Sequence, residues 1–146
     1  MISSIDMGGI TLIKFEILGK PVAKGRPRLG QFGHTYTPKK TVEYENLVKL
    51  SFVNNYPNFK PLEGYIEASI TAIFEVPKSY SKKKTKELLE GHNNYEHKPD
   101  LDNLAKSILD SLNGLAFKDD SQVTILHANK EYGEQAKVIV EIKEIK

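Results

Sequence analysis

The sequence predicts a single α+β domain in which a mixed β-sheet is packed with helices. Three observations predict it. Period-two alternation of apolar and polar residues marks residues 11–18 and 65–76 as strands, and residues 121–131 and 137–145 read as two more. Helical patterning and helix caps fall between them, at residues 38–54, 81–90 and 100–113. The chain has 146 residues, no internal repeat and no sign of a second domain, which suits one core. The order strand, helix, strand, helix, helix, strand, strand belongs to an α+β domain with a mixed sheet.

Taken in order, residues 1–10 read as a flexible N-terminal tail ahead of a domain over residues 11–146. In Thr11–Leu18, Ile13, Phe15 and Ile17 form the apolar face of a half-buried strand. Gly19–Thr35 is a long loop with four glycines and two prolines, and connections of that length in a compact domain usually carry function. Thr37 and Pro38 open a helix as N-cap and first residue, with Val42, Leu47, Leu50 and Val53 expected to be buried. In Tyr65–Val76 one face is Ile66, Ala68, Ile70, Ala72, Phe74 and Val76, and Pro77 ends the strand. Ser81 caps a short charged helix, and Gly91–His97 is polar. On the Asp100–Asn113 helix, Leu101, Leu104, Ala105, Ile108 and Leu112 share one arc, followed by Gly114 as the C′ residue. Ser121–Glu131 and Lys137–Ile145 are expected to pair as a hairpin through Tyr132-Gly133-Glu134.

Composition excludes several classes. With 39% hydrophobic residues the chain is globular rather than disordered. No apolar run approaches the ~20 residues of a membrane span, and the first ten residues lack a secretory pattern, so a cytoplasmic location is expected. No cysteine means no disulfide, no thiolate zinc site and no cysteine nucleophile. The net charge is only +2, but it is unevenly spread. Between Glu16 and Glu43 there is no acidic residue, while Lys20, Lys24, Arg26, Arg28, Lys39 and Lys40 fall there, and Lys82, Lys83, Lys84 and Lys86 form a second basic run. Acids gather at residues 100–120 and in the C-terminal strand instead. An anion that spans basic flanks and a metal-filled acidic centre accounts for that division, and Lys20, Lys24, Arg26, Arg28, Lys39 and Lys40 are the candidate DNA contacts.

The chemistry concentrates between Lys98 and Val123. Asp102 and Lys106 are four residues apart on one helix face, Asp100 stands at the helix N-terminus, and Asp119 and Asp120 begin the next strand. Packing the helix on the sheet offers a way for three carboxylates and a lysine to converge. Each piece also has a structural role open to it: Asp100 as N-cap, Asp102 as a first-turn acid, Asp102–Lys106 as a surface pair, Asp119-Asp120 as a turn. Carboxylate oxygens suit Mg²⁺ or Mn²⁺. Asp100-Leu101-Asp102-Asn103 lacks the glycine of an EF-hand loop, and His34, His92, His97 and His127 show no zinc-ligand spacing.

Lys98-Pro-Asp-Leu-Asp-Asn-Leu-Ala-Lys106, Leu109-Asp-Ser-Leu-Asn-Gly114 and Phe117-Lys-Asp-Asp-Ser-Gln-Val123 together resemble the RusA family of Holliday junction resolvases. Gly25-Arg-Pro-Arg28 and His34-Thr-Tyr-Thr-Pro38 resemble its phage and prophage branch, and the resemblance covers most of residues 11–143. It implies a RusA-like fold and a homodimeric, Mg²⁺-dependent endonuclease that nicks four-way DNA junctions symmetrically in recombination and repair. Asp100, Asp102 and Asp120 match the family's catalytic, metal-binding carboxylates, Lys106 matches its catalytic lysine, and Asp119 is a further candidate ligand. The basic loop is longer than in the type member, and the 82–86 segment is an addition. Two other readings fit the same residues: a less selective nuclease on forks and flaps, and a DNA-binding module whose acids are structural.

Overall fold

A computed structural model describes residues 5–6, 10–23, 25, 28–91 and 94–145. The elements in chain order are β1 (Ile5–Asp6), β2 (Ile10–Leu18), β3 (Arg28–Leu29), β4 (Thr35–Tyr36), α1 (Lys39–Asn55), β5 (Tyr65–Glu75), α2 (Lys82–Glu90), α3 (Leu101–Ser111), β6 (Val123–Gly133) and β7 (Lys137–Ile145). They form the predicted mixed α+β domain. The main sheet has the order β1-β2-β7-β5-β6, and β3 and β4 make a separate two-stranded ribbon.

β5 takes the centre because its inward face, Ile66, Ala68, Ile70, Ala72 and Phe74, is wholly buried. It pairs antiparallel with β7 and parallel with β6. Ile13, Phe15 and Ile17 of β2 and Val138, Val140 and Ile142 of β7 lie buried on the same side. α1 and α3 cover that side with Tyr44, Val48 and Phe52 and with Leu104, Ala105, Ile108 and Leu112. Ion pairs such as Lys14–Glu141 and Lys137–Glu16 mark the opposite, solvated face. No helix among the described residues is long and apolar enough to cross a membrane.

Four sequence expectations change. β6 and β7 do not form a hairpin, because β5 lies between them. Gly133 to Lys137 is four Cα steps, a reach of ~14 Å, more than the ~9.6 Å across two strand spacings. The short connection therefore steps over the end of β5, where Pro77 has already stopped the ladder. There Val76 N–H bonds Gly133 C=O at 3.3 Å. A Cβ on Gly133 would stand 2.3 Å from Ile73 Cγ2. Ile73 is β-branched and stiff at χ1, so Gly133→Ala is expected to cost about 1–3 kcal/mol of stability, read as a lower urea midpoint at unchanged m-value.

The second change is the face of α1. Val42, Leu47, Leu50 and Val53 are 42%, 38%, 57% and 42% exposed, and Thr41, Tyr44, Val48 and Phe52 are buried instead. The helix carries two apolar stripes. The aromatic one wins, because Phe52 joins Phe15, Tyr56 and Phe59 with ring centroids 5.4–5.7 Å apart. Pro38, not Thr37, occupies the N-cap position, without a side-chain cap.

Third, the loop at 19–35 contains the β3–β4 ribbon, closed where Gly33 adopts a φ of +79°. Fourth, within the expected N-terminal tail, Ile5 and Asp6 pair with Leu12 and Thr11 at the sheet edge. The Ser81 cap is as expected: its hydroxyl accepts from Lys84 N–H at 3.1 Å.

Candidate active site

α3 is a helix with two unlike sides. Leu104, Ala105, Ile108 and Leu112 are buried, while Asp102, Asn103 and Lys106 are exposed. At 100° per residue, Asp102, Lys106, Asp110 and Asn113 follow one another along the outward side. The apolar side fixes the helix, and the polar stripe is held in a defined orientation as a consequence.

The N-terminal end of the stripe is placed by β6. Lys130 Nζ donates to the carbonyls of His97 at 2.7 Å and Pro99 at 2.8 Å. Tyr95 N–H donates to Lys130 C=O at 3.1 Å. The chain is thus clamped immediately before Asp100. Asp100 has the extended backbone of an N-cap, yet its side chain makes no capping hydrogen bond. The capping role left open by the sequence is therefore not taken up. Among the described residues Asp100, Asp102 and Lys106 enter no ion pair, so the surface-pair reading of Asp102 and Lys106 is not realised either.

The C-terminal end is built by a turn that follows α3. Gly114, at a φ of +77°, donates to Phe117 C=O at 2.8 Å, and Phe117 is fully buried. Leu62 N–H bonds Ala116 C=O, and Lys118 N–H bonds Leu62 C=O. Asp119 and Asp120 then separate in role. Asp119 caps a short 3₁₀ turn at Asp120–Gln122: its Oδ2 accepts from Ser121 N–H at 3.0 Å, and Gln122 Oε1 accepts from Asp119 N–H at 2.9 Å. The hydrogen bonds from Ser121 hold its carboxyl below the usual range. Gln122 Nε2 also donates to the carbonyls of Leu62 and Gly64, both at 2.9 Å, and so ties the turn to the start of β5.

Asp120 faces Asp110 and Asn113. Its pKa is raised, first by a hydrogen bond with the Asp110 carboxyl that favours the protonated acid, then by partial burial, then by charge repulsion from Asp110 and Asp119, against a smaller lowering by the Asn113 hydrogen bond. Asp102 and Asp110 are eight residues apart, or ~12 Å along the helix. Asp100 and Asp102 thus lie toward the N-terminal end of α3, and Asp110, with Asp120 facing it, toward the C-terminal end. No group of three acidic or histidine side chains close enough to hold a metal occurs among the described residues. The donor set still suits a hard cation, since Mg²⁺ is commonly held by one or two carboxylates, with water and phosphate oxygens completing its shell. Lys106 lies one turn from each of Asp102 and Asp110.

Sequence reading passed over Asp110 and Gln122. The i, i+4, i+8 spacing of Asp102, Lys106 and Asp110 was the available signal for the first. Nothing local announces that Gln122 reaches residues 62 and 64. Asp110→Asn should remove the repulsion. A raised folded pKa means that stability in EDTA falls as pH climbs from the ordinary value of 3.8 through the raised one. The variant should flatten that fall, by less than about 1 kcal/mol because solvent screens the pair, as read from urea midpoints between about pH 3.5 and 7.

Of the candidate DNA contacts, Lys20, Lys39 and Lys40 are exposed, with Lys39 3.7 Å from Glu43. Arg28 lies in β3. Lys24 and Arg26 fall outside the described residues, as does His92.

Two comparisons with known proteins bear on this site. YqaN, an uncharacterized protein of Bacillus subtilis (strain 168), is 37% identical over 139 residues, which span 91% of this chain and 96% of that protein. The family model for endodeoxyribonuclease RusA matches residues 19–143, a span that includes the basic loop, all of α3 and the turn that carries Asp119 and Asp120. The chain belongs to the RusA endodeoxyribonuclease family.

Proposed function

We propose that this chain is a Mg²⁺-dependent endonuclease, selective for four-way DNA junctions, which it resolves by paired symmetric nicks as a homodimer. The observation that carries the reading is the outward stripe of α3 inside the family match: among the described residues Asp102 and Lys106 enter no ion pair, Asp100 stands at the N-cap without a capping bond, and the buried face of the helix fixes the stripe. Asp100 and Asp102 are the ligands that would hold Mg²⁺, or Mn²⁺, together with a DNA phosphate. When bound, the ion supplies charge neutralisation at the phosphate and a more acidic water. Lys106 stands where its ammonium can stabilise the charge that develops on the leaving oxygen. Asp120, with Asp110, forms a second carboxylate pair. Asp110 follows Asp102 by eight residues, ~12 Å along the helix, so this pair stands toward the other end of α3 from Asp102.

DNA approaches across the basic loop. Lys20, Lys39 and Lys40 would neutralise backbone charge, and the N-terminus of α1, which carries no acid in its first turn, adds a positive end. Phe32 is 82% exposed at the end of the β3–β4 ribbon, and Tyr36 is also exposed, so neither is spent on the core. Two exposed apolar stretches among the described residues support a second copy: the outward stripe of α1, and Ile125 and Leu126 on the edge strand β6. A junction has two equivalent strands to cut, which a two-fold dimer matches.

The test is cleavage of a four-way junction, a fork and a linear duplex, each with Mg²⁺ and with EDTA. Symmetric paired nicks on the junction, dependent on metal, are expected. Equal cutting of the linear duplex would point to an unselective nuclease, and binding without cutting in either condition would sink the catalytic reading.

A further inference from the structure

We propose that an aromatic pocket beside the approach to α3 receives one unpaired DNA base next to the strand being cut. The proposal rests on the nuclease reading and adds a base-recognition site to it. The pocket has a volume of about 310 Å³ and lies where the end of β5, the segment before α2, the segment before α3 and the β6–β7 connection meet. Phe74, Tyr80, Tyr95, His97 and Tyr132 line it, and Lys20 stands at its margin. That size is at the small end of the ~300–1,000 Å³ typical of ligand sites, so it suits a single base.

The wall rings pack on one another. Tyr95 stacks on buried Phe74 with centroids 3.8 Å apart and planes at 7°. Tyr132 and His97 meet Tyr95 edge-on at 5.1 and 5.4 Å. Lys84 Nζ sits 4.0 Å over the Tyr80 ring. Aromatic surfaces already ordered by their neighbours lose little entropy when a base stacks on them, and base stacking tolerates any sequence. The polar groups on the lining are the His97 ring nitrogens and the Tyr80 and Tyr132 hydroxyls; the two hydroxyls already bond one another, so a base competes for them. An aromatic cluster that served only as core would close on itself, whereas this one leaves a space open to solvent.

Location gives the pocket its role. His97 is three residues before Asp100, and Lys130 holds the His97 and Pro99 carbonyls together. The same lysine thus braces the pocket wall at His97 and the chain that leads into Asp100. On the other side, Gly19 N–H bonds Ala136 C=O at 3.0 Å, which pins the start of the basic loop at the pocket margin. The base itself is neutral, and its flanking phosphates would meet Lys20 and Lys84 rather than Glu75, the acid on the lining. Bases at a branch point are the least costly to unstack, so a site for an extruded base favours branched over linear DNA.

The experiment titrates the full chain, isotope-labelled in its aromatic rings, with single-stranded DNA tetranucleotides in EDTA. Ring resonances of Tyr80, Tyr95 and His97 should shift on stacking, while those of the core residues Tyr44 and Tyr56 stay in place. Tyr80→Ala should weaken tetranucleotide binding about tenfold, whereas Tyr80→Phe, which keeps the ring, should stay near wild type. Unmoved pocket rings at saturating oligonucleotide, or equal losses in the Phe and Ala variants, would overturn the proposal. Junction cleavage is measured in parallel. Cutting without ring shifts removes the pocket and keeps the nuclease, whereas ring shifts without cutting keep a base-binding pocket and remove the nuclease.

Discussion

Asp102→Asn is expected to lower junction nicking by about 10³-fold, the scale for losing one preorganised charged group at a reacting centre, while junction binding is retained. The substitution keeps the shape of the side chain and removes its charge. Asp102 is exposed, in the first turn of α3, and bonds to no described side chain, so the structure loses only a favourable interaction with the helix dipole, about 0.3–1 kcal/mol. In the proposed site the loss would be larger: a hard anionic donor, without which Asp100 alone would face the ion and the phosphate. Single-turnover nicking in Mg²⁺, with gel-shift binding in Ca²⁺ as the control, reads the two effects separately. Nicking at the wild-type rate would take Asp102 out of the chemistry. An equal loss of binding would make its role electrostatic steering rather than catalysis.

Phe117→Ala should have the largest effect on the fold of the site, about 3–5 kcal/mol of stability. The ring is fully buried, and its own carbonyl accepts the Gly114 N–H that closes the turn after α3. Removing it leaves a cavity under residues 114–118, the stretch that carries the chain from α3 to Asp119. The pairing of Asp120 with Asp110 and Asn113 depends on where that turn ends. A urea titration should show a lowered midpoint, and the residual folded protein should titrate without the raised pKa of Asp120. A stability loss below about 1 kcal/mol would show that backbone bonds to Leu62 hold the turn without the ring.

Much of the fold was legible locally. β2 and β5 were marked by strict alternation, because each has one buried and one solvated face, and period two then records burial directly. α3 was legible because its apolar arc is narrow and single. α1 was not, because it carries two stripes, and nothing within residues 39–55 says that Phe52 finds Phe15 and Phe59. The placing of β6 and β7 failed for a related reason: a turn signal shows that two strand ends are near, but not whether a third strand lies between them.

The site divides along the same line. By itself the sequence determined which residue types stand outward on α3, since Asp102 and Lys106 follow from helix geometry once the buried arc is known, and it determined that basic and acidic residues are segregated along the chain. Only the tertiary structure decided that Asp119 caps a turn, that Asp120 pairs with Asp110 rather than with Asp100, that Gln122 fastens that turn to residues 62 and 64, and that Lys130 clamps the approach to Asp100. The physical reason is range. Facing on one helix is set by a rotation of 100° per residue, which the chain carries within itself, whereas the meeting of Asp110 with Asp120, or of Lys130 with Pro99, is set by how α3 lies against β6, and that packing is fixed by side chains far away in the core.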